Sequence, residues 1–148
     1  MKLTENFTIE ELTFSETAVR KGLNNAPDDL QLESLLNLCT NVLEPLREAV
    51  GPIKINSAYR SPEVNKSIGG VPTSQHCKGE AADTVALNLT VKEYFNKIRE
   101  LVNEGKLVVD QCILEFDSWV HISYRQANRN QFLIAYKEDG KTKYKSAL

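Results

Sequence analysis

The chain holds only two histidines, and the residues around them are the first sign of chemistry. His76 lies in the stretch SAYRSPEVNKSIGGVPTSQHCKGEAAD, residues 57–83, where the six residues CKGEAA separate it from Asp83. His121 sits far downstream in the apolar run WVHISY. Two imidazoles and a carboxylate are a donor set for catalytic zinc, which takes three protein ligands and keeps a fourth position for water. Gly79, Ala81 and Ala82 would let the chain fold closely around an ion, and His121 could complete the set from a neighbouring strand. The same residues also read as a loop histidine, a turn-capping aspartate and a strand histidine packed in the core. Spacing alone leaves both readings open.

Periodicity and capping give the elements that must position these side chains. Thr8 with Glu11 has capping-box spacing for a helix over about 9–13, and Ser15 can cap a second short turn. After the loop GLNNAP, Leu32, Leu35, Leu36, Cys39, Val42, Leu43 and Leu46 form one apolar stripe of a helix over about 28–50. Pro45 inside that stripe should kink it, because proline has no N–H and clashes with the carbonyl of residue 41. PIKINSAYR alternates as a strand does, and Ser61-Pro62 starts a short helix that stops at Gly69-Gly70.

AADTVALNL reads as a strand carrying Asp83 at its start, and Thr90 with Glu93 caps an amphipathic helix that ends near Gly105. Strands are expected at 108–116, 119–124 and 132–137, with Asp117-Ser118 as a tight hairpin turn between the first two. The polar tail after Asp139 is expected to fray. These elements make an α+β architecture, a single domain over 1–148 with helices packed on a mainly antiparallel sheet.

Composition narrows the function classes. A net charge of −2, without a stripe of interleaved basic and aromatic residues, argues against nucleic-acid binding. Cys39, Cys77 and Cys112 are widely spaced, so neither a disulfide framework nor a cysteine-rich zinc site fits. Free thiols point to a reducing compartment, and the N-terminal MKLTENFTIEELTF has no apolar signal core. The expectation is a monomer, cytoplasmic as synthesised unless another factor releases it, with no membrane partner.

Ser74, His76, Gly79, Ala81 and Asp83 together spell S-x-H-x-x-G-x-A-x-D, preceded by SAYRS and followed by WVHIS. From NFTIEEL through WVHIS the chain resembles the zinc D-alanyl-D-alanine carboxypeptidase family, which includes phage L-alanyl-D-glutamate endolysins and shares its fold with hedgehog signalling domains. The resemblance implies Zn2+ bound by His76, Asp83 and His121, and a peptidoglycan peptide as substrate. Cleavage would be of the D-Ala-D-Ala carboxypeptidase or the L-Ala-D-Glu endopeptidase type. It implies that Arg60, in the Y-R-S element, holds substrate and stabilises an oxyanion, and that Ser74 contacts substrate or fixes its loop. Trp119 would wall the cleft or pack in the core.

The sequence departs from the family at one catalytic position. Members often carry an acid three residues before the last histidine, or a histidine two before it, where this chain has Ser118 and Trp119. The nearest acids are Glu115 and Asp117. Glu115 is the expected general base, because a turn at Asp117-Ser118 would send Asp117 to solvent while Glu115 stays on a strand beside the ligand strand. Asp117, or neither acid, is the alternative. The departure also suits a non-catalytic zinc-binding assembly domain of phage or prophage origin, and the missing signal suits a cytosolic D,D-dipeptidase.

Overall fold

The computed structural model describes residues 1–147. Helices α1 (Ile9–Thr13) and α2 (Glu16–Lys21) begin where the capping residues stand: Thr8 Oγ1 accepts from the N–H of Glu11, and Ser15 Oγ from that of Ala18. The long helix expected over 28–50 is α3 (Asp29–Leu38) and α4 (Glu44–Val50), joined by a π-helical turn over Cys39–Leu43. Pro45 has no N–H for the carbonyl of Asn41. The wide turn ahead of it, closed by the Glu44 N–H on the Cys39 carbonyl, takes up the misfit.

Strand β1 (Ile53–Ser57) leads to α5 (Pro62–Ser67), a 3-10 turn over Gln75–Lys78, and β2 (Ala81–Ala86). A complete capping box between Thr90 and Glu93 then opens α6 (Val91–Asn103). The remaining strands are β3 (Gln111–Glu115), β4 (Trp119–Ser123), β5 (Gln131–Glu138) and β6 (Lys141–Ser146). They form one six-stranded sheet in the order β1-β2-β4-β3-β5-β6, in which only β3 and β5 run parallel. The fold is therefore α+β with a mainly antiparallel sheet.

Two local expectations are corrected. The tail is a strand: Asp139 and Gly140, both at positive φ, turn the chain so that KTKYKS pairs along β5. Its residues are exposed apart from the backbone ladder, so hydropathy carried no sign of it. The β3–β4 hairpin turns on Phe116 and Asp117, at φ 55° and 54°, one residue earlier than expected. The Ser118 N–H closes that turn on the Glu115 carbonyl at 2.9 Å.

Register divides the sheet into two faces. Ala82, Ile122, Cys112 and Phe132 align across four strands and are buried under the helices. Leu38, Leu43, Leu46 and Ile98 meet them there, each without exposed surface, and Phe95 stacks edge-on against Phe132 with ring centres 6.0 Å apart. Each such aliphatic side chain contributes about 1.5–3 kcal/mol by leaving water. The neighbouring row, Asp83, His121, Ile113 and Leu133, points the other way because side chains alternate along a strand. That open face carries the polar groups. Among the described residues no helix is long and apolar enough to cross a membrane.

Candidate active site

Asp83 and His121 are direct partners in the β2–β4 ladder, and His121 Nδ1 stands 3.1 Å from Asp83 Oδ1. His76 arrives from the 3-10 turn instead. Ser74 Oγ caps that turn by accepting from the His76 N–H at 3.2 Å, and Gly79 ends it at φ +74°. A Cβ on Gly79 would sit 2.5 Å from the Gln31 carbonyl oxygen, so this position needs glycine for conformation and for space. The Arg60 N–H donates to the His76 carbonyl at 3.1 Å, and Gln31 Nε2 to that of Cys77 at 3.2 Å.

The His76 ring is oriented by its other nitrogen. Nδ1 lies 2.7 Å from the Ala58 carbonyl, which can only accept, so Nδ1 carries the proton. Nε2 is left with its lone pair, 3.3 Å from Asp83 Oδ1. Burial lowers the His76 pKa against the opposing pull of Asp83, favouring the neutral ring that a metal requires. Burial acts to raise the Asp83 carboxyl. The charge of His76 and hydrogen bonds from His121 and His76 outweigh it, so the net shift is downward.

One donor atom from each of His76, Asp83 and His121 lies within 4.8 Å of the others. Ligands about 2.0–2.1 Å from a tetrahedral zinc stand roughly 3.4 Å apart, close to the 3.3 and 3.1 Å separations from Asp83 Oδ1. The lone pair of His76 faces inward, and its second nitrogen is anchored to a carbonyl as metal-binding histidines usually are. Donor set, spacing and tautomer all fit zinc.

The other candidates fall unequally around this cluster. Glu115 lies two residues from Ile113, the strand partner of His121, so it shares the open face, and its Oε1 is 3.7 Å from His121 Nδ1. Burial raises its carboxyl and the charge of Asp83 adds to this, against His121 and Arg60. Arg60, Ser74, Glu115 and Trp119 line one cleft of about 760 Å³ with the three donors. Among the described residues, Arg60 Nε and Trp119 Nε1 are buried without a hydrogen-bond partner. Asp117 is exposed on the hairpin turn and faces a separate groove beside α6. Cys77 is half-buried and outside the donor cluster.

A family model described as Peptidase M15 matches residues 5–123, most of the chain and all three donors. The chain belongs to the M15 peptidase family. A search among curated proteins gives no match. M15 peptidases are zinc-dependent in general, and in this member His76, Asp83 and His121 are the residues that could hold such an ion.

Sequence reasoning missed the far end of the cleft. Asp110, with no exposed surface, accepts from Arg129 Nε and Nη2 at 2.9 and 2.8 Å and from Gln75 Nε2 at 2.9 Å. Arg125 Nε is 3.0 Å from the same carboxylate. An acid just ahead of a strand and two arginines in YRQANRN carry no motif. Their partnership is made by loops that only the fold brings together.

Proposed function

We propose that this M15 peptidase is a zinc-dependent hydrolase of peptidoglycan stem peptides, with Glu115 as its general base. The observation that carries this reading is the Glu115 carboxylate, set beside the donor cluster at 3.7 Å from His121 Nδ1. Zinc held by His76, Asp83 and His121 would supply a Lewis acid and lower the pKa of water. Glu115 takes a proton from the attacking water and passes it to the leaving amine, and burial makes its carboxylate a better base for that task. Arg60, which lines the cleft with Glu115 and the three donors, directs positive charge to the oxygen that becomes negative in the transition state. Trp119 walls the cleft.

The stem-peptide assignment rests on the likeness that runs from NFTIEEL through WVHIS. Ser118 at the usual acid position would suit a binding domain without activity. Glu115 supplies a carboxylate from the paired strand, which supports hydrolysis instead. The test is incubation of zinc-loaded protein with purified peptidoglycan and with a panel of short muropeptides. New amino termini on the wall support an endopeptidase, and release of terminal D-alanine alone supports a carboxypeptidase. Zinc and peptide binding without hydrolysis of any substrate overturns the reading.

A further inference from the structure

The cleft has a second charged centre, at the opposite end of β3 from Glu115. Asp110 lies three residues along the chain from Ile113, the strand partner of His121, or about 10 Å at strand rise. That is the reach of about three extended peptide residues. Two guanidinium groups converge on this one buried carboxylate, which neutralises only one of their two charges; Glu80 is the further acid nearby, on the same Gln75 amide. Asp110 accepts from Nε and Nη2 of Arg129, while Arg125 Nε donates to the Ala127 carbonyl at 3.1 Å and stands 3.0 Å from Asp110 Oδ1 as an ion pair. Among the described residues, the other guanidinium nitrogens have no protein partner.

Both arginines are part-exposed and line the cleft, and both lie past residue 123, where the family match ends. Gln75 Nε2 ties Asp110 to the residue beside His76, which fixes the distance between the two centres. Lys78 adds another cation to the cleft wall, whereas Lys137 lies over the Phe116 ring at the Glu115 end and donates to Thr142 Oγ1. Among the described residues, Glu80 is the one acid lining the cleft besides Asp83 and Glu115, and its Oε1 accepts from Gln75 Nε2 at 3.2 Å.

We infer that Arg125 and Arg129, held on Asp110, form a carboxylate-binding subsite that selects acidic stem peptides two or three residues from the scissile bond. The inference deepens the peptidase reading and rests on it for the identity of the peptide. A planar guanidinium presents parallel N–H donors to a carboxylate, and two of them pre-oriented by a buried acid lose little freedom when the ligand arrives. A stem peptide offers such a carboxylate in two places, on its internal D-glutamate and at its C-terminus.

The test is calorimetric titration of the zinc-loaded Glu115→Gln protein, in which turnover is suppressed. The ligands are L-Ala-γ-D-Glu-L-Lys-D-Ala-D-Ala and its versions amidated at the glutamate α-carboxylate or at the C-terminus. Binding of the free acid about 10-fold tighter than one of the amides supports the subsite, and the amide that loses affinity identifies which carboxylate is read. Adding Arg125→Gln and Arg129→Gln should erase that difference. Equal binding of all three peptides, or no binding of any, overturns the subsite, and this comparison needs no arginine variant to fold. Selective binding of the acid, with no hydrolysis by the unsubstituted protein, keeps the subsite and removes the peptidase reading. Hydrolysis with no preference for the acid does the reverse.

Discussion

The two halves of the site are held in different ways. Asp83, His121 and Glu115 stand on paired strands, where the backbone ladder fixes each side chain relative to the next. His76, Arg60 and the Asp110 cluster stand on a turn and loops, each positioned by a few separate contacts: the Ser74 cap, the left-handed Gly79, the Ala58 carbonyl and the Gln75 amide. Replacing a side chain on the strand half leaves the ladder intact and removes only chemistry. A change on the loop half removes part of the support as well.

The largest expected effect removes a ligand from either half. His121→Ala and His76→Ala should both lose zinc, and hydrolysis should fall to the uncatalysed background; full zinc content in either variant takes that residue out of the site. Next comes Glu115→Gln, which keeps the shape and removes the basic oxygen. Zinc and melting temperature should hold while kcat falls by about 10²- to 10⁴-fold, and Asp117→Asn, on the exposed turn, should stay near wild type. If Asp117→Asn is the inactive variant, the assignment reverses. On the loop half, Arg60→Lys should cost about 10²-fold in kcat at unchanged zinc content, because an ammonium does not reproduce the guanidinium fork. Unchanged turnover would remove Arg60 from the transition state.

Gly79→Ala should show the vulnerability of the loop half most directly. Its methyl would meet the Gln31 carbonyl at 2.5 Å, at a φ of +74° that alanine resists. A loss of roughly 2 kcal/mol, or about 4–8 °C in Tm for a chain of this size, is expected, with zinc affinity weakened as the His76 turn shifts. An unchanged Tm would mean that α3 and the turn part at no cost.

The same division explains what the sequence disclosed. Strand parity placed Glu115 on the face of His121, because alternation is a local property and the paired strands are joined by a short turn. The helices were legible from their stripes and caps, as Thr8, Ser15 and Thr90 show. At Pro45 the sequence implies a kink and the structure has a π-turn, since the sequence marks the missing N–H and not how the backbone absorbs it. Strand β6 escaped because an exposed edge strand buries almost nothing. The Asp110 cluster escaped for a different reason: Gln75, Asp110 and Arg129 meet across loops far apart in the chain, and no local pattern records such a meeting.

The smallest expected effect isolates the charge that holds this cluster. Burial acts to raise the Asp110 carboxyl, but hydrogen bonds from Arg129 and Gln75 and the nearby guanidinium charge outweigh it, so the folded pKa lies below the ordinary value. An unfolded chain therefore takes up this proton at a higher pH than the folded one does. The stabilising contribution is fully present above the unfolded pKa of about 3.9 and is lost as pH falls through the folded value. Asp110→Asn keeps the shape but has no charge to lose. Other carboxylates titrate in both proteins, so the difference in Tm between wild type and Asp110→Asn reports this group alone. The gap should be constant from pH 7 to about 5 and close as pH drops below about 4. A gap that persists at low pH would assign the support to packing and neutral hydrogen bonds, and Arg125 and Arg129 would then owe their positions to shape.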